Sequence, residues 1–194
     1  MSIRIAEPSD LPQILEIYAP YVETTTFSFE YEVPTLEAFT QRFQTITAQF
    51  PWLVWEENGT VLGYAYASAP FSRAAYSWCA EPSIYLAPSA RSKGIGRQLY
   101  AVLEEILRRQ GYRTSYAIIT SENRDSLAFH TALGYRLLAE FPRCGFKHGR
   151  WVGVTWMEKQ LNFVEVPSNM PVKASCVVNN HRNLQEILAK ITLS

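Results

Sequence analysis

The run Arg91-Ser92-Lys93-Gly94-Ile95-Gly96-Arg97 follows the pattern Arg-x-x-Gly-x-Gly and lies between an apolar stretch, Ser83 to Leu86, and a long helical pattern. Its chemistry is anion binding. Glycine lets the backbone approach an anion with no Cβ in the way. The free N–H groups of a first helical turn point at such a ligand, and the helix dipole adds positive potential. Arg91, Lys93 and Arg97 bracket the turn with positive charge. Gly-x-Gly alone would be explained as well by a tight turn with a solvated basic face. The preceding strand, the basic flanks and the amphipathic helix together argue for an anion. A Walker loop needs Gly-Lys-Ser/Thr after four intervening residues and is absent. A dinucleotide fingerprint needs a third glycine where Gln98 and Leu99 stand. Another diphosphate is left.

Ten residues before the cradle is Glu81, flanked by Ala80, Pro82 and Ile84. Partly apolar surroundings would raise the pKa of its carboxyl toward that of a useful base. Taken by its own surroundings in the sequence, the same residue reads first as a strand glutamate facing solvent. Arg73, with Tyr76 beside it, has the geometry to grip a carboxylate in two-pronged fashion. It also reads as a surface loop charge. Cys79 has Glu81 as its nearest charged neighbour in sequence, which disfavours a thiolate and a covalent route.

The elements that must position these groups follow from the pattern. Ser2 to Ala6 is a strand. Pro8-Ser9-Asp10 offers a cap for a helix carrying Leu11, Ile14, Leu15 and Tyr18, which Pro20 should end or kink. Thr24 to Glu32 is a loop or short extended piece, and Thr35 caps a second helix. Trp52 to Glu56 and Val61 to Ala69 form a hairpin about Asn58-Gly59. Ser77 to Leu86 is a strand, Gly94 to Gln110 a long helix stopped by Gly111, and Thr114 to Ile119 another strand. A helix over Asp125 to Leu133 and strands over Tyr135 to Phe141 and Trp151 to Lys159 complete a mixed α/β layer with helices on both faces.

Bulk properties narrow the function class. The chain has 194 residues, 47% of them apolar and 19% charged, which suits one globular domain. Its formal net charge of zero gives no bulk attraction to nucleic acid or to an anionic membrane. No apolar run reaches membrane-span length and no signal peptide is visible. Cys79, Cys144 and Cys176 match no metal or disulfide spacing, so reduced thiols in the cytoplasm are expected and no metal is.

At this point the chain resembles the GCN5-related N-acetyltransferase (GNAT) superfamily. The Arg-x-x-Gly-x-Gly cradle is similar to that family's acetyl-CoA pyrophosphate loop. Ser121-Glu122-Asn123-x-x-Ser126 and Phe129-His130-x-x-Leu133-Gly134-Tyr135 resemble its second signature. Phe50 to Val54, Arg73 to Glu81 and Gly145 to Trp151 resemble the phosphinothricin and methionine sulfoximine N-acetyltransferase branch. The resemblance covers residues 1 to 161 and implies a GNAT acyl-CoA N-acyltransferase fold, with a central, mostly antiparallel sheet. Residues 162 to 194 are read as an extension with a short helix, docking on the domain or on a partner subunit.

The resemblance also implies roles. Acetyl-CoA would be held by Ile84, Tyr85 and Leu86, by Arg91, Ser92, Lys93, Gly94, Ile95, Gly96 and Arg97, and by Asn123 and Ser126. Asn123 is equally an N-cap. Glu81 would be the base, and His130 the acid for the departing thiol or a hydrogen-bonding partner of its sulfur. His130 reads as well as a half-buried core histidine. Arg73, Tyr76 and Phe27 would meet the acceptor. The superfamily has a bulge in the Glu81 strand, where it parts from its neighbour and polarises the acyl carbonyl. Pro82 departs from the branch pattern there and removes one N–H: either that N–H is not needed, or the task falls to the N–H of Tyr85 or Leu86. Lys147, His148, Arg150 and Trp151 would form a turn near the substrate mouth, or else a solvated hairpin. The expected activity is acetyl transfer to the α-amine of a small glutamate-like amino acid in a ternary complex, by a homodimer. Another small amine, a protein N-terminus, or a non-catalytic acyl-CoA-binding module are the alternatives.

Overall fold

A seven-stranded sheet in the order β1-β2-β3-β4-β5-β7-β6 organises the chain. The computed structural model describes residues 2–163, 165–167, 169–178 and 181–192. The strands are β1 (Ser2–Ile5), β2 (Trp52–Glu57), β3 (Thr60–Ser68), β4 (Cys79–Leu86), β5 (Thr114–Thr120), β6 (Arg136–Lys147) and β7 (Arg150–Gln160). All neighbours pair antiparallel except β4 and β5, which run parallel. The expected mixed, mostly antiparallel sheet with helices on both faces is present. Asn58 and Gly59 both have positive φ (51° and 79°), as a tight β2–β3 hairpin requires.

On one face lies α3 (Ile95–Gln110), whose Leu99, Val102, Leu103, Ile106 and Leu107 recur at helical spacing and are fully buried. Burial of each contributes about 2 kcal/mol. Gly94 opens the helix at φ 77° and Gly111 closes it at φ 98°. On the other face lie α1 (Leu11–Thr24) and α2 (Leu36–Thr47), packed on Trp52, Val54 and Tyr64. Thr35 caps α2 by accepting the Ala38 N–H at 3.2 Å.

Pro20 does not end α1. The helix runs through it to Thr24 because Tyr18 and Val22, on either side, are both buried. The last carbonyls are then closed by side chains: Thr24 donates to Pro20 O at 2.7 Å and Thr25 to Tyr21 O at 2.6 Å. Asp10 does not cap α1 by its side chain either; it binds Arg4 and the Glu7 N–H. Strand β6 extends to Lys147, beyond the expected Phe141, through a register shift between Phe141 and Gly145.

After β7 the chain crosses the end of α3. Val172 N–H donates to Gln110 O and Ala174 N–H to Gln49 O, both at 2.9 Å. A short α5 (Ala174–Val177) and α6 (His181–Thr192) follow. Leu184 and Ile187 of α6 are buried in the same cluster as Leu103 and Ile106. The extension therefore shares a core with the sheet and α3.

Candidate active site

Strands β4 and β5 touch only at Cys79↔Thr114 and Ala80↔Ser115, and then separate. Ala87 N–H donates to Leu62 O of β3, which fixes the alternation along β4. Tyr85 and Ser83 turn their main-chain groups toward β3. Pro82, Ile84 and Leu86 turn theirs into the gap that β5 has left. The parting of β4 from a neighbour falls on the β5 side, while the register with β3 is unbroken from Gly63↔Leu86 to Ser68↔Glu81. Pro82 needs no bulge, because its missing N–H would face the gap and leaves the ladder with β3 intact. The Tyr85 N–H is likewise committed to β3, so of the two named groups only that of Leu86 faces the gap, joined there by Ile84.

At the end of the gap is the cradle. Ser92 (φ 59°) and Gly94 (φ 77°) are both left-handed, which curls the chain so that successive N–H groups converge. A Cβ built on Gly94 meets nothing within 4 Å, whereas one on Gly96 touches Ile84 and Phe129 at 3.4 Å. Gly94 thus leaves the mouth of the cradle open, and Gly96 lets α3 approach β4 and α4 (Arg124–Ala132). Arg91, Lys93 and Arg97 stand around the opening, exposed. The donor set suits a diphosphate.

Tyr21 joins the cradle to the strand. Its hydroxyl donates to Leu86 O at 2.7 Å and accepts from Leu86 N–H at 3.3 Å and Arg91 Nη2 at 3.0 Å. The Arg91 guanidinium also stands 5.3 Å from the centre of the Tyr21 ring. Sequence reasoning missed this residue because it placed the helix end one position earlier, at Pro20.

A cavity of ≈ 80 Å³ occupies the gap, and Phe27, Pro82, Ile84, Asn123, Ser126 and His130 are among the residues that line it. Asn123 caps α4, its side-chain oxygen accepting the Ser126 N–H at 3.2 Å. His130 is 3% exposed. Its Nδ1 lies 2.8 Å from the Ser126 carbonyl and its Nε2 2.7 Å from the Tyr100 hydroxyl. Since a carbonyl only accepts, the ring proton sits on Nδ1, and Nε2 accepts from Tyr100. Burial pushes the His130 pKa down to about 4, so the ring is neutral at pH 7. Tyr100, read from sequence only as a position in the long helix, lines the same cavity.

Glu81 pairs with Ser68 of β3. Desolvation alone pushes its carboxyl up to about 7. Its side chain shares a sheet face with Cys79, and through Cys79↔Thr114 with Tyr116 of β5. Arg73 and Tyr76 are brought together in a neighbouring cavity of ≈ 440 Å³, with Phe71 and Cys79, rather than in the first. Cys79 stands at the seam, and burial pushes its thiol up, against a nucleophilic role.

The basic turn is not a solvated hairpin. Lys147 is 3% exposed and donates to Val22 O and Ser28 O, both at 2.7 Å. His148 Nε2 lies 3.2 Å from Thr25 O. Arg150 grips Glu122 through two bonds of 2.6 Å, and Glu122 also accepts from Thr26. These contacts hold the loop that carries Phe27 over the first cavity. Trp151, by contrast, is 60% exposed.

A split parallel pair, an anion cradle at a helix start and a half-buried carboxyl nearby define an acyl-transfer site of the acetyltransferase kind. Residues 3–156 match the family described as an acetyltransferase (GNAT) domain, and the chain belongs to that family. It is similar to a phosphinothricin N-acetyltransferase of Alcaligenes faecalis, 39% identical over 166 residues that cover 83% of each chain. It is equally similar, at 39% identity over 83% of this chain and 95% of the relative, to an L-methionine sulfoximine/L-methionine sulfone acetyltransferase of Pseudomonas aeruginosa. Among solved structures, a GNAT-superfamily phosphinothricin acetyltransferase from Sinorhizobium meliloti, in complex with acetyl-CoA, superposes with a TM-score of 0.81. That match has 39% identity and covers 88% of this chain and 92% of the other.

Proposed function

We propose that this chain transfers acetyl from acetyl-CoA to the α-amino group of a small glutamate-like amino acid, of the phosphinothricin or methionine sulfoximine type, by direct attack in a ternary complex. The observation that carries the reading is the Glu81 carboxyl: it stands in β4 between Cys79, which lines one cavity, and Pro82, which lines the other, and burial pushes it up to about 7. A carboxylate with that pKa accepts a proton from an α-ammonium near neutral pH. Relatives named for these acceptors, 39% identical to this chain, support the choice of substrate.

Arg91, Lys93, Arg97 and the N–H groups from Ser92 to Gly96 would hold the pyrophosphate of acetyl-CoA. Ile84, Tyr85 and Leu86 would flank its arm, Ile84 through its main-chain N–H. Asn123 and Ser126 would line the opposite wall. Acetyl-CoA brings the activated thioester. Glu81 takes the ammonium proton, the freed amine nitrogen bonds to the acyl carbon, the C–S bond breaks, and the surplus proton of that nitrogen passes to the leaving sulfur. The N–H of Ile84, facing the gap, is placed to polarise the acyl carbonyl. Arg73 and Tyr76 orient the acceptor carboxylate, and Phe27 covers the site. His130, neutral and with its one proton committed to Ser126 O, acts by fixing the Tyr100 hydroxyl at the cavity wall rather than as an imidazolium acid.

We further propose a homodimer, for which the exposed Leu137, Phe146 and Trp151 on β6 and β7 are the supporting surface. Three free cysteines support a reducing, cytoplasmic setting. Thiol release with acetyl-CoA and a panel of amines tests the reading. Release with α-amino acids supports it; release only with peptides or polyamines would replace it, and binding of acetyl-CoA without release would reduce the chain to a binding module.

A further inference from the structure

Residues 169–174 cross the end of α3 as a strap, beyond residues 3–156, the part of the chain that matches the family. Trp78 Nε1 donates to Asn169 O at 3.3 Å, and the Gln49 side-chain nitrogen lies 3.3 Å from the carbonyls of both Pro171 and Val172. Gln110, 2% exposed, donates to Val172 O at 2.8 Å and to Gln49 O at 2.9 Å, which ties the strap to the turn after α2. Ahead of the strap, Asn162 donates to Arg108 O at 3.0 Å and to Tyr112 O at 2.8 Å. The chain is thus anchored on both sides of residue 170.

Within the strap the groups that make these bonds belong to the main chain, so its side chains are left for other contacts. Met170 and Pro171 line the ≈ 440 Å³ cavity together with Phe50, Arg73, Tyr76 and Tyr112. Phe50 and Tyr112 are buried and stacked, 5.1 Å apart between ring centres. Met170, by contrast, is large, apolar and 53% exposed. Apolar area on a cavity wall is contact surface that a ligand can cover. An unbranched thioether on three rotatable bonds also adapts to the shape that covers it. Arg73 brings the charge for a carboxylate to the same cavity. Cys79, two residues before Glu81, lines it as well and marks the side from which an amine reaches the base. An α-amino acid held in that way has the strap wall left for its side chain.

Resting on the acetyl-transfer reading above, we propose that the C-terminal strap is part of the acceptor site: Met170 and Pro171 form the wall on which the acceptor side chain packs, and residue 170 sets the length of side chain that is taken. Gln49 is a positioning residue, which acts through the carbonyls of Pro171 and Val172.

The test compares kcat/KM for L-methionine sulfone and for L-ethionine sulfone, one methylene longer, at saturating acetyl-CoA. Met170→Ala should raise the ratio of the longer to the shorter by about 10-fold, the scale of one methylene in an apolar pocket. Met170→Trp should lower that ratio and raise KM for both acceptors. Gln49→Ala should raise both acceptor KM values by about 3- to 10-fold, as for one lost hydrogen bond, with kcat unchanged. KM for acetyl-CoA should stay at the wild-type value in all three variants, and the exposure of Met170 lets its variants fold. An unchanged ratio in both Met170 variants, no use of either sulfone by a wild type that accepts other α-amino acids, or a Gln49→Ala variant in which the KM values for acceptor and acetyl-CoA rise alike, would overturn the proposal alone. Transfer by the wild type to a peptide or a polyamine, and to no α-amino acid, would overturn both it and the reading beneath it.

Discussion

Nε2 of His130 and the hydroxyl of Tyr100 lie 2.7 Å apart in a buried site, with the imidazole neutral and its own proton given to the Ser126 carbonyl. The two side chains thus act as one unit, and their loss should not be additive. Tyr100→Phe and His130→Gln are each expected to lower kcat by about 10- to 100-fold, the scale on which lost positioning at a reacting centre slows turnover. The double variant should fall no further than the worse single one. Full multiplication of the two losses, measured by steady-state kinetics, would show that they act separately.

The Glu81 and His130 carboxyl and imidazole give opposite stability signatures. The folded pKa of Glu81 is raised from 4.5 to about 7, so the fold favours its protonated form. That contribution is complete below pH 4.5 and is lost as pH rises through 7; it amounts to on the order of 2–3 kcal/mol. The folded pKa of His130 is lowered from 6.5 to about 4, so the fold favours the neutral ring, and stability is lost as pH falls through that window. Glu81→Gln should therefore melt higher than the wild type at pH 8, with the difference closing by pH 4.5. An unchanged melting difference at both pH values would exclude a raised Glu81 pKa.

Tyr21 stakes its hydroxyl on two parts of the cofactor site, Leu86 and Arg91. Tyr21→Phe removes both contacts and keeps the ring. KM for acetyl-CoA should rise by roughly 3- to 10-fold, the equivalent of about one hydrogen bond, with kcat nearly unchanged. A change confined to kcat would place Tyr21 in the chemical step instead.

Lys147 holds Val22 O and Ser28 O from a buried position. Lys147→Met leaves two carbonyls short of a donor and should cost about 1–3 kcal/mol of stability. It also frees the loop carrying Phe27, so KM for the acceptor should rise more than KM for acetyl-CoA. Equal rises would indicate a general loss of folded protein.

Local features were legible in the sequence, and features built by distant strands were not. The cradle needs consecutive residues, so Arg91 to Arg97 declared it. Thr35, Gly94 and Gly111 mark helix ends by rules that act within one turn. Tyr21 was hidden because Pro20 is a strong local stop that the burial of Tyr18 and Val22 overrides. Lys147 looked like surface because lysine usually is, and its two carbonyl partners come from residues more than a hundred positions away. Pro82 looked like a departure until the β4–β5 separation showed which way its nitrogen faces. Arg73 and Glu81 were legible as residue types, but not that Arg73 lines a cavity separate from the one holding Asn123 and His130.

Glu81→Gln gives the most direct measurement. Acetyl-CoA affinity should stay within about twofold of the wild type by calorimetry, while turnover with the preferred α-amino acid falls by about 10²- to 10⁴-fold, the scale of a general base. The wild-type kcat/KM should rise with pH through about 7 as the carboxyl loses its proton, and the variant should lack that step. Retained turnover in Glu81→Gln, with the same step near pH 7, would contradict the account.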